Sequence, residues 1–397
     1  LKWNYFSKTI YGLYEDGFLK KHKGGKIMKK ILVIIFAVIF TVAFVTACSG
    51  QAQTPTATSS APASSAPAST AASSQAPAAE KKLVVGFAAL TLGNSWNVQT
   101  YESLKAAVAR HPEIDKIQFG NSEANPDKQI NDIRNMIDQK VDVILIEACS
   151  ETALNPVIEE AVAAGIPVVV ADSLVTSDKV TSQVAPDQKK WGEETAKWLI
   201  EKMGGKGNIV VLNGIAGNSS NNDRWGGAKK IFDQNTNVKI LADANCDWDQ
   251  AKAQPVVANW LAAYPQIDGV WSQGGAMTAA AMLEFQKAKR PLVPMVGEAY
   301  NGFMRVWTEN KNAGYSGIAC VLPNYDIQIA LELALKAKKG ETVPKFVDVP
   351  LTLIYDNDTD KYFIKDKPDD YWMVNDMEPA QIEQVIKDNG KDARPAE

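Results

Sequence analysis

The sequence predicts an α/β protein of two doubly wound parallel-sheet domains, and three observations carry that prediction. Apolar β-branched runs alternate with helical patterns from residue 82 onward. Several runs lack the apolar–polar alternation of a half-exposed strand, so they are expected to be buried on both faces, as in a parallel sheet with helices on each side. Polar residues gather where the runs end, the edge at which open α/β sheets bind ligands. About four strand–helix units precede Val180 and three or four follow it, which fits two such domains. A TIM barrel is the alternative this pattern leaves open.

In chain order, strands are expected at 83–90 (LVVGFAAL), 116–120, 141–148 (VDVILIEA), 166–172 (IPVVVAD) and 180–185. Further strands are expected at 207–214 (GNIVVLNG), 238–244, 267–273 and 292–298, with a last strand-like stretch at 346–355. Between them lies helix punctuation. Asn125-Pro126 supplies an N-cap and a first-turn proline, and Ile130, Ile133, Met136 and Ile137 form the apolar stripe of that helix. A helix near 195–203 stops at Gly204-Gly205. Asp249 is placed to cap the following helix, in which Pro255 lies too deep for the first turn and predicts a kink. One more helix is expected at 326–339.

Ahead of the folded part stands MKKILVIIFAVIFTVAFVTACSG, residues 28–50. Two lysines followed by an apolar run form the n-region and h-region of a secretory signal. The run at 31–47 has 17 residues, the short edge of the ~17–25 that span a bilayer. VTAC at 45–48 resembles the lipobox of bacterial lipoproteins, where cleavage precedes the cysteine and lipid is attached to it. The expected organisation is an upstream extension at 1–27, a signal peptide at 28–47, and a linker at 48–80 anchored by lipid on Cys48. That linker is Ala, Ser, Thr, Pro and Gln almost throughout, with nothing large to bury, so it is expected to be a disordered tether. The domain beyond it is then extracytoplasmic, held at a membrane face.

Charge narrows the partners. Removing residues 1–47, with eight lysines and two acids, takes the formal net charge from −4 to about −10. An acidic domain is a poor nucleic-acid binder, because phosphate contacts need clustered Lys and Arg. Beyond Cys48, the cysteines Cys149, Cys246 and Cys320 are odd in number and have no CxxC spacing. They suggest buried thiols rather than a metal site or a disulfide framework, although an oxidising compartment would permit one pair. Catalytic equipment is thin: there are two histidines, His22 and His111, and HExxH, GxSxG, GxGxxG and the P-loop pattern are all absent. No cofactor and no metal are expected.

The candidate binding residues sit at strand ends: Asn94 and Asn97 after the first, Glu147 after the third, Asp172 after the fourth. Asn213, Asn218, Asp247-Trp248-Asp249, Gln273 and Glu298 follow. Any one of them has a plain alternative, since Asn and Asp there often only cap the next helix. Trp96 and Trp248 argue harder. Each stands beside Asn or Asp at a strand-to-helix turn, where an indole can stack on the C–H face of a sugar ring while amides and carboxylates hold its hydroxyls. Trp191, Trp198, Trp260 and Trp271 fall inside helices or a strand and are expected to pack in the core. Arg224, one turn into the helix after GIAGNSS, can clamp vicinal hydroxyls or pair with Asp172 if it faces a cleft. Glu147 and Asp172 could in principle serve a glycosidase, although paired acids also hold hydroxyls without chemistry.

Five segments, TLGNSWN, IPVVVAD, GIAGNSSNNDR, CDWDQAK and IDGVWSQGG, in this order between residues 82 and 355, resemble the type I periplasmic binding proteins. The ribose-binding group of ABC transporter receptors is the most similar. The resemblance implies two similar lobes joined by a three-crossover hinge, one of residues 81–186 plus 321–349 and the other of 187–320 plus 350–375, followed by a tail at 376–397. It places ligand contacts on Asn94, Trp96, Asn97, Asp172, Arg224 and Trp248. Departures from the ribose pattern are Ser173 for an arginine, Glu147 for an asparagine, Gly274 for an asparagine, Glu298-Ala299 for a Phe-Asp pair and Cys320 for a glutamine. One arginine fewer and two carboxylates more imply a neutral sugar or polyol, or a ligand with an amine, rather than ribose or an acidic sugar. The implied function is capture of that ligand and delivery to an ABC permease and its ATPase by a monomer without nucleic-acid partners. The alternatives are a sugar or autoinducer receptor feeding a membrane sensor, and an exported carbohydrate-active enzyme. The roughly 40 residues past Tyr355 exceed the compact ribose-type ending.

Overall fold

Val/Ile-rich runs build two sheets in the computed structural model, which describes residues 81–373 and 376–394. The expected upstream extension, signal peptide, lipidated Cys48 and linker lie outside the described residues. In the first lobe the chain runs β1 (Leu83–Ala89), α1 (Ser95–Val108), β2 (Ile114–Asn121), α2 (Pro126–Asp138), β3 (Val143–Ile146), α3 (Asn155–Ala163), β4 (Val168–Ala171) and β5 (Ser182–Pro186). The second lobe follows with α4 (Gln188–Lys202), β6 (Gly207–Asn213), α5 (Ser219–Asp233), β7 (Val238–Asn245), α6 (Gln250–Ala263) and β8 (Gly269–Ser272). It continues through α7 (Gly275–Lys287), β9 (Met295–Glu298), α8 (Asn301–Asn310) and β10 (Gly317–Val321). The chain ends with α9 (Asp326–Lys338), β11 (Phe346–Val349), β12 (Thr352–Ile354), α10 (Thr359–Tyr362), α11 (Pro379–Asn389) and β13 (Gly390–Lys391).

The strand orders are β13-β11-β5-β4-β3-β1-β2 in the first sheet and β12-β10-β9-β8-β6-β7 in the second. All pairings are parallel except β10–β12 and β11–β13. Each sheet is covered on both faces, as the unalternating runs require. In the first, Phe87, Leu104, Leu145 and Ile327 fill one side, while Ile133, Met136, Ile144 and Ile158 fill the other. In the second, Met277, Phe285, Phe303 and Trp307 lie on one side, and Trp191, Leu199, Phe232 and Trp271 on the other. The chain crosses between sheets after β5, after β10 and after β11. Past Met373 it crosses once more, so that α11 buries Ile382 and Ile386 in the first lobe and β13 pairs with β11.

Within residues 83–355 two strand assignments differ from the expectation. The stretch 346–355 is two strands in different sheets, because Pro350 has no N–H to continue a ladder and the chain changes lobes there. The strand β10, with sequence GIACV, was not anticipated. It is short and carries Gly, Ala and Cys, so it lacks the β-branched run that marks the others.

Local chemistry fixes the loops that carry function. The Nε2 amide of Gln129, fully buried on α2, donates to the carbonyls of Ala88 (3.1 Å) and Glu147 (2.7 Å), and its Oε1 accepts from Cys149 N (2.9 Å). One side chain thereby binds the ends of β1 and β3 together. In the second lobe α4 and α5 cross at Gly192 and Gly227, where an added methyl would overlap the carbonyls of Arg224 and Lys189 respectively. The three described cysteines are free and buried. Gly192→Ala and Gly227→Ala are each expected to cost about 1–3 kcal/mol of stability by overpacking. Urea unfolding should show a lower midpoint with an unchanged slope.

Candidate functional site

The two lobes meet at a cleft lined by Leu90, Trp96, Asn97, Asp172, Ser220, Arg224, Trp248, Glu298 and Leu322. Its cavity volume is about 30 Å³. A flat ring therefore fits only if the polar side chains yield their mutual contacts to it or the lobes part slightly.

Arg224 is the centre of this polar set. It is 3% exposed. Its Nη1 pairs with Glu298 Oε1 (2.8 Å) and donates to the carbonyl of Gln273 (2.7 Å), while its Nε donates to Gln188 Oε1 (2.7 Å). The guanidinium lies 5.0 Å from the Trp191 ring and 5.7 Å from the Trp248 ring, within the range of cation–π attraction. A surface helix arginine would have none of these partners.

The two cleft indoles come from different lobes. Trp96 enters from the first turn of α1, its Nε1 donating to the carbonyl of Leu322 (3.2 Å) at the second crossover. Trp248 adopts φ 56°, and Asp172, from the other lobe, φ 58°. A left-handed backbone is an outlier for a residue as bulky as Trp. Glycines make room for it: a methyl at Gly214 would overlap the Trp248 ring, and one at Gly274 would come within 2.8 Å of its Cδ1. Asp247 is drawn off by Lys252 (2.7 Å) and Asp249 caps α6, so only the indole of that triplet faces the cleft.

Among the described residues, four carboxyl groups are buried here against one guanidinium: Glu147, Asp172, Glu298 and Asp326. Burial pushes Glu147 up to about 8, with the charge of Asp172 adding to the rise and a hydrogen bond from Asn97 opposing it. Glu298 is raised by burial to about 7 despite its pairing with Arg224. Burial also raises Asp172, against the pull of Arg224 and of the Ser173 hydroxyl (2.9 Å). Asp326 is raised well above the usual carboxylate range by burial and by the charges of Asp172 and Glu147.

The nine sequence-selected residues fall into two layers. Trp96, Asn97, Asp172, Arg224, Trp248 and Glu298 line the cleft. Asn94, Glu147 and Gln273 do not. Asn94 spends its side-chain oxygen on capping α1 through Asn97 N (3.0 Å). Glu147 lies behind Asn97, whose Nδ2 it accepts at 3.2 Å, and Gln273 lies behind Arg224, bonded to Asn213 Oδ1 (2.9 Å). Gln188, Ser220 and Asp326 were missed. Gln188 and Asp326 open the helices that follow the first and second crossovers, and a polar residue at a crossover was the signal available. Trp191, Trp198 and Trp271 are buried as expected, and Trp260 packs half-buried against the second-lobe core.

A sequence profile described as a periplasmic binding protein domain matches residues 85–342. The chain belongs to the periplasmic binding protein family. Within it, this periplasmic binding protein is 26% identical over 274 residues to the ribose import binding protein of Bacillus subtilis (strain 168), covering 69% of this chain and 88% of that one. It is 27% identical over 242 residues to the xylitol-binding protein of Mycolicibacterium smegmatis, covering 60% and 69%. Among solved structures, the ABC transporter solute binding protein from Thermobispora bispora superposes with a TM-score of 0.70 at 26% identity, over 79% of this chain and 99% of that one.

The raised carboxyls set a pH trend. The folded chain holds protons on Glu147 and Glu298 that the unfolded chain releases near 4.5, so stability falls as pH rises from there toward about 8. Glu147→Gln keeps an acceptor for Asn97 and removes the largest part of that loss. Urea unfolding at a series of pH values should give a flatter decline between pH 5 and 8, with the variant more stable at pH 8 by on the order of a few kcal/mol.

Proposed function

We propose that this chain is an extracytoplasmic solute-binding protein, tethered through lipid on Cys48, that captures a neutral sugar or polyol between its lobes and delivers it to an ABC importer. The observation that carries the reading is the shared cleft of Trp96 and Trp248, one from each lobe, with Asn97, Asp172, Arg224 and Glu298 between them. Indole faces suit the apolar C–H side of a sugar, and the amide, carboxyls and guanidinium suit its hydroxyls. The ribose import and xylitol-binding relatives support the ligand class.

Charge selects within that class. Arg224 is already paired with Glu298, which leaves Asp172, Glu147 and Asp326 with no second buried cation beside them among the described residues. An anionic ligand would have only a guanidinium already engaged by Glu298 to pair with, so its desolvation would go unrecovered. A polyol can donate to the carboxylates or accept from them when protonated. An enzyme reading is disfavoured because the acid pair it would use, Glu147 and Asp172, does not flank a common space: Glu147 stands behind Asn97. Binding favours the closed arrangement only through the contacts the ligand makes with both lobes, and that closed pair is what an importer would recognise.

The test is a thermal-shift series on the intact protein with xylitol, D-ribose, D-allose, D-glucosamine and D-galacturonate. A neutral compound at 100 times its Kd should stabilise by about 2.7 kcal/mol. Asp172→Asn should weaken the same compound by about 10- to 100-fold. A response confined to the galacturonate arm would overturn the charge assignment, and turnover of a glycoside panel that Asp172→Asn abolishes would restore the enzyme reading.

A further inference from the structure

The residues after β12 do more than lengthen the chain. On the second lobe, Asn301 holds them: its Nδ2 donates to the carbonyls of Ile364 (3.0 Å), Lys367 (2.9 Å) and Pro368 (3.0 Å), and its Oδ1 accepts from Ile364 N (3.0 Å). The amides of Asn301 and Gly302 donate to the carbonyls of Tyr371 (2.9 Å) and Asp369 (2.8 Å). Arg305 grips Asp369 with both ends of its fork, at 2.8 Å each. Delivered by this scaffold, the Trp372 ring packs 5.1 Å from the ring of Tyr300.

The opposite side of Trp372 touches the first lobe. Its indole Nε1 donates to Ser95 Oγ (2.8 Å), its backbone N donates to Gln99 Oε1 (3.0 Å), and its carbonyl accepts from Gln99 Nε2 (2.8 Å). The Gln99 amide thus treats Trp372 as a strand treats its neighbour. Gln99 also donates to Asn324 Oδ1 (3.1 Å), and Asn324 Nδ2 donates to the carbonyl of Trp96 (3.0 Å) and to Thr100 Oγ1 (2.8 Å). Ser95, Trp96, Asn97 and Gln99 make up one turn of α1, so the side chain gripped from outside shares its turn with two residues that line the cleft. Tyr300 stands two residues after Glu298, which lines the cleft from the other lobe. Trp372 is 2% exposed, a wedge between the two segments that carry opposing halves of the site.

We propose that the carboxy-terminal extension is a strap whose Trp372 acts as a positioning residue, fixing the Trp96 turn of one lobe against the Glu298 strand end of the other and biasing the lobes toward closure. After Trp372 the chain is anchored to the first lobe through Asp376, which accepts from Arg110 (2.9 Å) and Gln328 (2.8 Å). Opening therefore has to break the Ser95 and Gln99 bonds while both ends of the strap stay fixed.

The edge strands β2 and β7 lie farthest in sheet order from the crossovers, so their separation reports opening. Spin labels on unnatural amino acids at Lys116 and Lys239 of the intact protein, with no sugar added, give that distance by pulsed dipolar spectroscopy. Gln99→Ala removes two hydrogen bonds across the lobes, and Trp372→Ala removes the Ser95 bond together with the ring packed against Tyr300, so each should lower the ratio of short to long distances about tenfold or more. Trp372→Phe, which keeps the ring against Tyr300 but loses the indole N–H, should fall between. Distances in folded Trp372→Ala and Gln99→Ala that match the wild type would overturn the strap. Where Trp372→Ala lacks native circular dichroism, Gln99→Ala decides alone. The readout needs no ligand, so a failed sugar assignment leaves it untouched.

Discussion

One buried guanidinium organises the second lobe and its meeting with the first. Taking a charge out of water costs several kcal/mol, and only close partners with good geometry recover it. Arg224 has Glu298, Gln188 and the Gln273 carbonyl, each from a different element: the end of β9, the start of α4 and the end of β8. Each partner must stand within hydrogen-bond reach, so the charge fixes where α4 and α5 sit. Gly192 and Gly227 let the two helices come that close. Trp191 then closes the apolar side of the same group. The charge of Asp172 reaches the guanidinium from the first lobe, so the relative placement of the lobes depends on it too.

Between the lobes the remaining contacts are numerous and individually modest. From the loop and first turn of α5, Ser219 Oγ accepts from Leu174 N (2.6 Å) and Ser220 Oγ donates to the Asp172 carbonyl (3.2 Å). Asn218 and Asn222 donate to the Ala148 carbonyl (3.0 Å) and to Glu151 Oε1 (2.8 Å). Leu90, Cys149 and Ile215 add a small apolar patch. Each hydrogen bond contributes about 0.5–1.5 kcal/mol net, because water competes for both partners. An interface of this kind closes without locking, and the difference in affinity a ligand has for the two arrangements can tip it.

What could be read from the chain follows from how local its signal was. The central strands were announced by unbroken Val/Ile-rich runs, which suit burial on both faces, whereas the buried β10 (GIACV) lacks such a run and went unread. Trp96 and Trp248 stood out because an indole among amides at a strand end has little local structural use. Asn94 and Asn97 looked equivalent in sequence, yet one caps the helix and the other faces the cleft; a cap and a ligand contact demand the same chemistry. Glu147 and Gln273 were found as polar strand ends, but the depth at which they lie depends on side chains from other elements. Asp326 and Gln188 were invisible for the converse reason: each looks like an ordinary helix start until the crossovers fold it inward. The role of the extension past Tyr355 was not legible, since Trp372 meets Tyr300, Ser95 and Gln99 from some 70 to 280 positions away.

Strain explains why the cleft keeps its shape. Asp172 and Trp248 both hold left-handed backbones, a conformation that costs on the order of 1–3 kcal/mol at a non-glycine residue and persists only where the surroundings dictate it. For Trp248 the surroundings are the seats left by Gly214 and Gly274 and the guanidinium beside its ring. For Asp172 they are the Ser173 hydroxyl, the Gln188 amide at 3.5 Å and the bond its carbonyl accepts from Ser220 across the lobes. Ser173 satisfies one carboxylate oxygen locally and adds no charge, so among the described residues Arg224 is the cation that acts on this acid. The walls of the cleft are thus set by strain and close packing, and its charge by the one ion pair that Arg224 makes with Glu298.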